Sequence, residues 1–584
     1  KQVYLHPLAG VLSAFGIGLA EPRWLGEDAV EIPLTDAAAL TRAEEKFAAL
    51  MQQADFTPDK ENPVQELRRA YLRYEGSDTQ LLVSFADAAA MRAEFEQQHQ
   101  QLFGFIAAHK SLRLDAVQLE LVAAGNSAPA IPFASGEQAA QENAQLYLGG
   151  KWHSVPVLAR TQLAAGFIAP GPLLLTDANS TIVVEPGWQL EVLKSGALLL
   201  SDQGEELPVA ASNLVQRDPV TLEIFNNLFM SVAEQMGFVL EKTASSVNIK
   251  ERLDFSCALF DGHGELVANA PHIPVHLGSM SESIKVVMQG HADMRPDDAF
   301  VLNTPYNGGT HLPDVTVVKP VFIRPFTAGN KADFYVAARG HHADIGGITP
   351  GSMPAESTHI DEEGVLLDNL ILMRDGQLKE QEIRKVLAAA TYPARNPDQN
   401  IADLMAQLAA CEKGAAELQR LCAAYGLPQV TAYMQHVMDN AEQTLRECLA
   451  DLPSGEFSAQ MDDGTRFNVR IEVDRQQRHA HVDFSGTQYR AEQKQHPGNF
   501  NAPTSVVMAA VLYSFRALVA KPMPLNAGFF RALTVKVPQA SIIAPQYPAA
   551  VVSGNVETAQ YLVDVVMGAL GLMAGCQGTN NNFT

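Results

Sequence analysis

Histidine is concentrated in one stretch of the chain. Eight of the sixteen histidines fall between positions 263 and 359: His263, His272, His276, His291, His311, His341, His342 and His359. Gly-rich turns share this window. His311 and Asp314 stand three apart around Leu-Pro, and Pro313 argues against a continuous helix there. His341-His342 follows two strand-like segments, 315–322 and 333–338. A hairpin of those segments would return His341 or His342 to the edge where Asp314 starts. Two imidazoles and a carboxylate suit Zn²⁺, Mn²⁺ or Fe²⁺. With open positions, such a cation polarises a carbonyl or lowers the pKa of a bound water.

The neighbouring groups have plainer readings beside the functional ones. His272 and His276 are read first as structural, and second as ligands or a proton shuttle. His263 and His291 sit in turns and are read as solvated. Arg252 and Asp254 lie in a strand-like segment. Arg252 is either a hairpin side chain or a holder of phosphate or carboxylate. Asp361-Glu-Glu-Gly364 reads as a solvated turn, with support of the histidines as the alternative. Ser553-Gly-Asn-Val-Glu-Thr558 precedes a helix, as an N-cap or an anion site. The sequence contains no GxxxxGK[ST] and no G-x-S-x-G, so a P-loop and a nucleophile elbow are both excluded.

These residues need elements to position them. Asp218-Pro219 opens a helix whose apolar residues Leu222, Phe225, Phe229, Val232, Met236 and Leu240 recur every three or four positions to about 243. Residues 250–375 read as short strands and Gly- and His-rich loops. Two helices follow over 400–452, broken near Gly426-Leu-Pro428, and 465–486 alternates as a hairpin. Earlier, helices over 36–55 and 85–109, two strands around Gly76-Ser-Asp78, and a strand over 112–122 make a small α+β domain of residues 21–125. Residues 126–145 read as a polar connector. Residues 146–210 read as a small all-β barrel or sandwich, with Pro186-Gly187 as a turn between strands. The fold class expected is therefore α+β and multidomain, with a large mixed α/β domain over 216–584.

Composition sets the outer bounds. The chain has 584 residues, 47% apolar and 18% charged, enough to bury large cores. Its net charge of −24 opposes binding to nucleic acid or anionic membrane. Five scattered cysteines without a CxxC pair argue against a disulfide framework or a thiolate zinc site, and point to a reducing, cytoplasmic setting. The apolar stretches 6–20, 504–520 and 556–575 are read as packed helices, not as a signal peptide or membrane spans. Residues 1–20 read as the end of a preceding domain, and the chain as part of a longer polypeptide.

Five strings resemble one family. Arg217-Asp-Pro-Val-Thr-Leu-Glu-Ile-Phe225, Glu251-Arg-Leu-Asp-Phe-Ser256, Asn269-Ala-Pro-His-Ile-Pro-Val-His-Leu-Gly278, Gly308-Gly-Thr-His-Leu-Pro-Asp314 and Gly340-His-His-Ala-Asp-Ile-Gly-Gly347 are similar to the hydantoinase B/oxoprolinase family. Leu5-His-Pro-Leu-Ala-Gly10 and Leu72-Arg-Tyr-Glu-Gly-Ser-Asp78 resemble the end of the companion hydantoinase A half. The resemblance implies that residues 1–20 are the terminal helix of an ATPase core, with 21–125 its C-terminal domain. It implies an ATPase half that uses ATP and Mg²⁺ to phosphorylate the oxygen of a cyclic amide, 5-oxo-L-proline. The part carried here would then open the activated lactam to L-glutamate. It implies a divalent metal on His311, Asp314 and His341, with His342 as rival ligand. Around it, His342, Asp344 and Arg339 are expected in catalysis, and Arg252 and Tyr306 in substrate binding. A homo-oligomer is expected. An N-methylhydantoinase or acetone/acetophenone carboxylase-type subunit is the second reading. A non-catalytic, metal-stabilised scaffold docking an ATPase half is the third.

Overall fold

The computed structural model describes residues 1–56, 64–77, 79–103, 106–107, 110–123, 142–148, 151–177, 180–203, 215–270, 272–327, 329–489, 496–519 and 525–575. Most of the connector (126–141), Asp78 and Cys576 fall outside them. The fold is α+β. The chain divides into two compact units: Lys1–Leu72, Leu82–Met91 and Arg113–Leu214 in one, and Arg73–Leu81, Arg92–Leu112 and Val215–Thr584 in the other. Among the described residues no helix is long and apolar enough to cross a membrane.

Near the amino terminus, strands Arg23–Pro33, Leu112–Ala123, Val64–Tyr74 and Leu81–Ser84 form a four-stranded sheet in that order. Helix Ala39–Gln53 buries Ala39, Ala43, Phe47 and Leu50, an i, i+4, i+8, i+11 stripe. Strand Arg23–Pro33 has no counterpart in the sequence reading. Two further four-stranded sheets share one core, in which Leu173, Leu175 and Val184 of one meet Leu190, Val192, Leu198 and Leu200 of the other. That is a sandwich. The strands Thr181–Val184 and Trp188–Val192, on either side of Pro186-Gly187, belong to different sheets. The first residues depart from expectation. Gln2–Leu5 is a strand paired with Leu198–Ser201, and the following helix, Leu12–Gly18, buries no residue. The segment is held by strand pairing, not by an apolar helix face.

The larger unit is built on a seven-stranded sheet. Its strands are β1 (Phe255–Asp261), β2 (Leu266–Asn269), β3 (Ala299–Leu302), β4 (Asp314–Val321), β5 (Phe334–His341), β6 (Leu370–Arg374) and β7 (Gln377–Leu378). They lie in the order β2-β1-β5-β4-β3-β6-β7, antiparallel throughout. β1 and β4 are buried at every position, as strands covered on both faces must be. One cover is helix α1 (Pro219–Thr243), capped by the Asp218 carboxylate on the Thr221 N–H and started by Pro219. It packs on helix α3 (Pro397–Tyr425), which lies on β4 and β5. Gly426 then breaks the chain before helix α4 (Leu427–Leu449). On the other face lies helix α2 (Pro274–Gly290), read from sequence as a loop. Helix α5 (Thr504–Ala517) crosses it closely: a Cβ on Gly278 would lie 2.3 Å from the Ala509 Cα.

A second sheet, β8 (Gly455–Gln460), β9 (Arg466–Asp474), β10 (His479–Asp483) and β11 (Leu533–Lys536), packs with α5 and helix α6 (Ala559–Ala569) over a separate core. β9 and β10 are the hairpin expected over 465–486.

Candidate metal centre

The β4–β5 pair decides what meets what. Asp314 opens β4, His341 closes β5, and the register sets them directly opposite each other. Strand side chains alternate between faces. Asp314 and Thr316 therefore share a face with Arg339 and His341, and that face looks at α2. Gly340 and His342 point the other way, towards α3. Only one member of the His341-His342 pair can face Asp314, and it is His341.

Asp314 is fully buried and central. Its Oδ1 lies 3.1 Å from His341 Nδ1. Its Oδ2 accepts from Thr310 Oγ1 at 2.8 Å and lies 3.2 Å from His276 Nε2 and 3.0 Å from His311 Nδ1. The last contact is close but not aligned as a hydrogen bond. His311 Nδ1 is buried without a hydrogen-bond partner among the described residues. His311 reaches the site from a turn that Gly308 makes possible at φ +84° and in which a Cβ on Gly309 would lie 2.2 Å from the Asn303 carbonyl oxygen.

Asp254 completes the ring of charges. It sits just before β1, beside Leu253 at φ +55°, and its backbone carbonyl accepts from the His341 N–H. Its carboxylate lies 3.7 Å from both His276 Nε2 and His341 Nδ1. It is also the more open carboxylate, with its side chain 34% exposed while that of Asp314 is sealed. Two imidazoles thus stand between two carboxylates.

Burial and neighbouring charges act differently on the three groups. Burial works to raise the Asp314 pKa, but the imidazoles of His311 and His276 hold it well below the usual carboxylate range. Burial pushes His311 down, which keeps its imidazole neutral. For His341, burial is outweighed by the hydrogen bond and charge of Asp314, and the pKa rises. His311, Asp314 and His341 each offer one donor atom, all within 4.8 Å of one another. An N₂O set at this spacing, with a sealed and unpartnered imidazole nitrogen, fits a divalent ion at bond lengths of about 2.0–2.2 Å.

The remaining expected residues go elsewhere. His342 is buried on the opposite face, with Nε2 against Gln407 Oε1 and Nδ1 against Asn400 Nδ2, both at 3.1 Å. Both ring nitrogens are taken, so the expected catalytic imidazole is a tie between sheet and helix. Asp344 accepts from the Gly346, Gly351 and Arg395 N–H groups and pairs with the Arg395 guanidinium at 2.7 Å. It organises a loop and is not turned to the cluster. Arg339 is on the cluster's face but sealed beneath it, bonded to Thr316, Ser279 and Ser283. Burial pushes its pKa down to about 10, and it lines no open site. The Tyr306 hydroxyl is committed to the Ala549 carbonyl. Arg252 is exposed beside the cluster, and its charge bears on His341.

Asp254, read from sequence only as a partner of Arg252 on one face, and His276, read first as structural, both lie against the cluster. Glu363, read as part of a solvated turn, is fully buried and bonded to Ser357 and to the Val551 and Val552 N–H groups. The N–H groups of Gly554, Val556, Glu557 and Thr558 are taken by backbone carbonyls, which speaks against the alternative of an anion site at 553–558, and Ser553 makes no side-chain cap bond.

Comparison with known proteins bears on the family of the chain. The family model Hydantoinase B/oxoprolinase matches residues 218–584. The chain is 36% identical over 611 residues to 5-oxoprolinase of Dictyostelium discoideum, covering all of this chain and 46% of that protein. It is 36% identical over 626 residues to 5-oxoprolinase 1 of Arabidopsis thaliana, again over the whole chain and 48% of the relative. The chain thus spans about half the length of the curated relatives it matches. Among solved structures, the ATP-dependent caprolactamase from Pseudomonas jessenii aligns with TM-score 0.53 and 27% identity, over 61% of this chain and 60% of that one. The chain belongs to the hydantoinase B/oxoprolinase family.

Proposed function

We propose that this chain is the lactam-opening part of an ATP-dependent 5-oxoprolinase. In this reading an ATPase half phosphorylates the lactam oxygen of 5-oxo-L-proline, and the present part hydrolyses the activated ring to L-glutamate with release of phosphate. The observation that carries the reading is the largely buried cluster of His311, Asp314 and His341, in a chain similar along its whole length to curated 5-oxoprolinases. The caprolactamase likeness supports a cyclic amide as the substrate class.

His311, Asp314 and His341 would hold the divalent metal. A Lewis-acidic cation bound there supplies activation of water for attack on an acyl carbon. The chain's own residues prepare the place. Burial keeps His311 neutral and the neighbouring imidazoles keep Asp314 ionised, as ligation requires, while His341 would have to give up to a cation the proton that Asp314 favours on it. The open side of the cluster belongs to Asp254 and the exposed Arg252. Arg252 is placed to take the carboxylate of the substrate by a charge-assisted, two-pronged contact. An unactivated lactam is a poor electrophile, and a phosphorylated oxygen converts it into one with a leaving group, so the two halves divide the work.

The test is glutamate release from 5-oxo-L-proline. A polypeptide that joins this chain to the ATPase half should release glutamate with ATP consumption. Residues 1–584 alone should not. Release by residues 1–584 alone, or turnover of hydantoins but not 5-oxo-L-proline by the complete polypeptide, would overturn the reading.

A further inference from the structure

We propose that His276, backed by Ser256, is a positioning residue that fixes the Asp314 carboxylate for cation binding. The proposal rests on the metal reading above and deepens it.

His276 lies in the first turn of α2, and Ser256 lies on β1 beneath it. Nδ1 of His276 is 3.2 Å from Ser256 Oγ, and Nε2 is 3.2 Å from Asp314 Oδ2. An ionised carboxylate only accepts, so the Nε2 that faces Asp314 is an N–H side of the ring. Nδ1 pairs with the Ser256 hydroxyl. The Thr310 hydroxyl binds the same oxygen at 2.8 Å. Oδ2 is thus bonded by the Thr310 hydroxyl and faced at 3.2 Å by the His276 imidazole, which restricts how the carboxylate can turn.

The pair is not a nucleophile–base couple, although serine, imidazole and carboxylate follow in order. Ser256 is fully buried and His276 is 1% exposed, so neither reaches a substrate. The helix that carries His276 is itself clamped, because Ser279 and Ser283 on the same face of α2 both accept from Arg339. His276 also stands 3.7 Å from the Asp254 carboxylate. Its N–H lies where two like charges would otherwise face each other.

The experiment is titration of the whole chain with Mn²⁺ and with Zn²⁺ by calorimetry, and with Co²⁺ by visible absorption. Wild type, His276→Ala, His276→Gln, Ser256→Ala and the His276→Ala/Ser256→Ala double variant are compared. Loss of an outer partner of a metal ligand weakens binding about 10–100-fold. His276→Ala should fall in that range and shift the Co²⁺ bands at saturation. His276→Gln restores an N–H donor and should recover most of the affinity and the wild-type bands. Ser256→Ala should weaken binding in the wild type and add nothing in the His276→Ala background, because it acts through the imidazole. Wild-type affinity in both single alanine variants would sink the proposal while leaving the metal site standing. Binding by His276→Gln as weak as by His276→Ala would also sink it, by making the imidazole itself a ligand. No binding by wild type would sink the metal reading instead. Where His276→Ala does not fold, Ser256→Ala against wild type decides the same question.

Discussion

Asp314 and His341 face each other across neighbouring antiparallel strands, and the direct register between them sets His341 Nδ1 3.1 Å from Asp314 Oδ1. They are 27 residues apart in sequence, yet no flexible loop separates them within the sheet. The contact is as rigid as the ladder that carries it. His311 joins from the turn just before β4. Its donor set is therefore built at one corner of a buried sheet, where preorganisation favours binding of an ion.

His311→Ala and Asp314→Ala should both lose bound divalent metal, measured by elemental analysis of the purified protein. They should differ in stability when metal is stripped with chelator. His311 Nδ1 makes no hydrogen bond, so its loss leaves no polar group newly unpaired. Asp314→Ala strips an acceptor from Thr310, His276 and His341 and leaves the buried Arg339 uncompensated. The cost of such a broken buried pair is about 3–5 kcal/mol. Equal stability of the two metal-free variants in urea would contradict this.

The hairpin of β4 and β5 was legible because its strands are Val-rich runs of strand length, and Asp314 and His341 lie at the ends that a hairpin brings together. The choice between His341 and His342 was also within reach. Adjacent strand residues point to opposite faces, so parity alone assigns one of them to Asp314. Helix α2 was hidden because Pro274, His276 and Gly278 crowd its first turn and read as loop punctuation, although Pro at the first helical position is a start signal. Misreading α2 left the role of His276 near the site as a second choice. Asp254 was obscured differently: it lies in a turn with Leu253 in the left-handed region, which strand alternation cannot anticipate. Tyr306, Asp344 and Glu363 each spend polar atoms on a partner distant in sequence: the Ala549 carbonyl, Arg395, and the Val551 and Val552 N–H groups. No local pattern reports such pairings.

Gly309→Ala should disable the centre without touching a ligand. An added Cβ would lie 2.2 Å from the Asn303 carbonyl oxygen and 2.7 Å from that of Thr304, both backbone atoms that cannot swing aside. Overpacking of this kind costs about 1–3 kcal/mol. The strain falls next to Thr310 and His311, so metal affinity should drop with stability. Gly16→Ala is the control, since nothing lies within 4 Å of its added Cβ. Calorimetric metal titration and thermal melts of the two variants check the contrast. A Gly309→Ala protein with wild-type metal affinity would refute it.

Arg339→Met should be among the most damaging single changes in the sheet. The guanidinium is fully buried and donates to three hydroxyls, on Thr316, Ser279 and Ser283. Removing the cation leaves those hydroxyls short of a partner and the Asp314 charge less compensated, a loss of about 3–5 kcal/mol. Arg339→Lys should recover only part of it, because one ammonium cannot match a planar fork that reaches three separate oxygens. Denaturant melts that rank Lys equal to Arg would show that the fork geometry is unimportant.

Glu363 gives the fold a pH dependence of defined sign. Burial pushes its carboxyl up to about 7 from the ordinary 4.5, although the Val552 and Val551 N–H groups and the Ser357 hydroxyl work to lower it. All three donors reach Oε1, at 2.8–3.0 Å, and the Val551 N–H also reaches Oε2 at 3.1 Å, so a proton on Oε2 gives up only that longer contact. Below pH 4.5 both folded and unfolded chains hold that proton, and the group is neutral to stability. Between about 4.5 and 7 the unfolded chain releases it while the folded chain keeps it, so stability falls as pH rises, and above 7 the loss is constant. A gap of this size corresponds to about 3 kcal/mol at most. Glu363→Gln keeps an oxygen at Oε1 and removes the titration. Its stability relative to wild type should therefore rise between pH 4.5 and 7 and then level off, in urea melts taken across that range. A Glu363→Gln protein whose deficit grows with pH would mean that the buried group is held as a carboxylate.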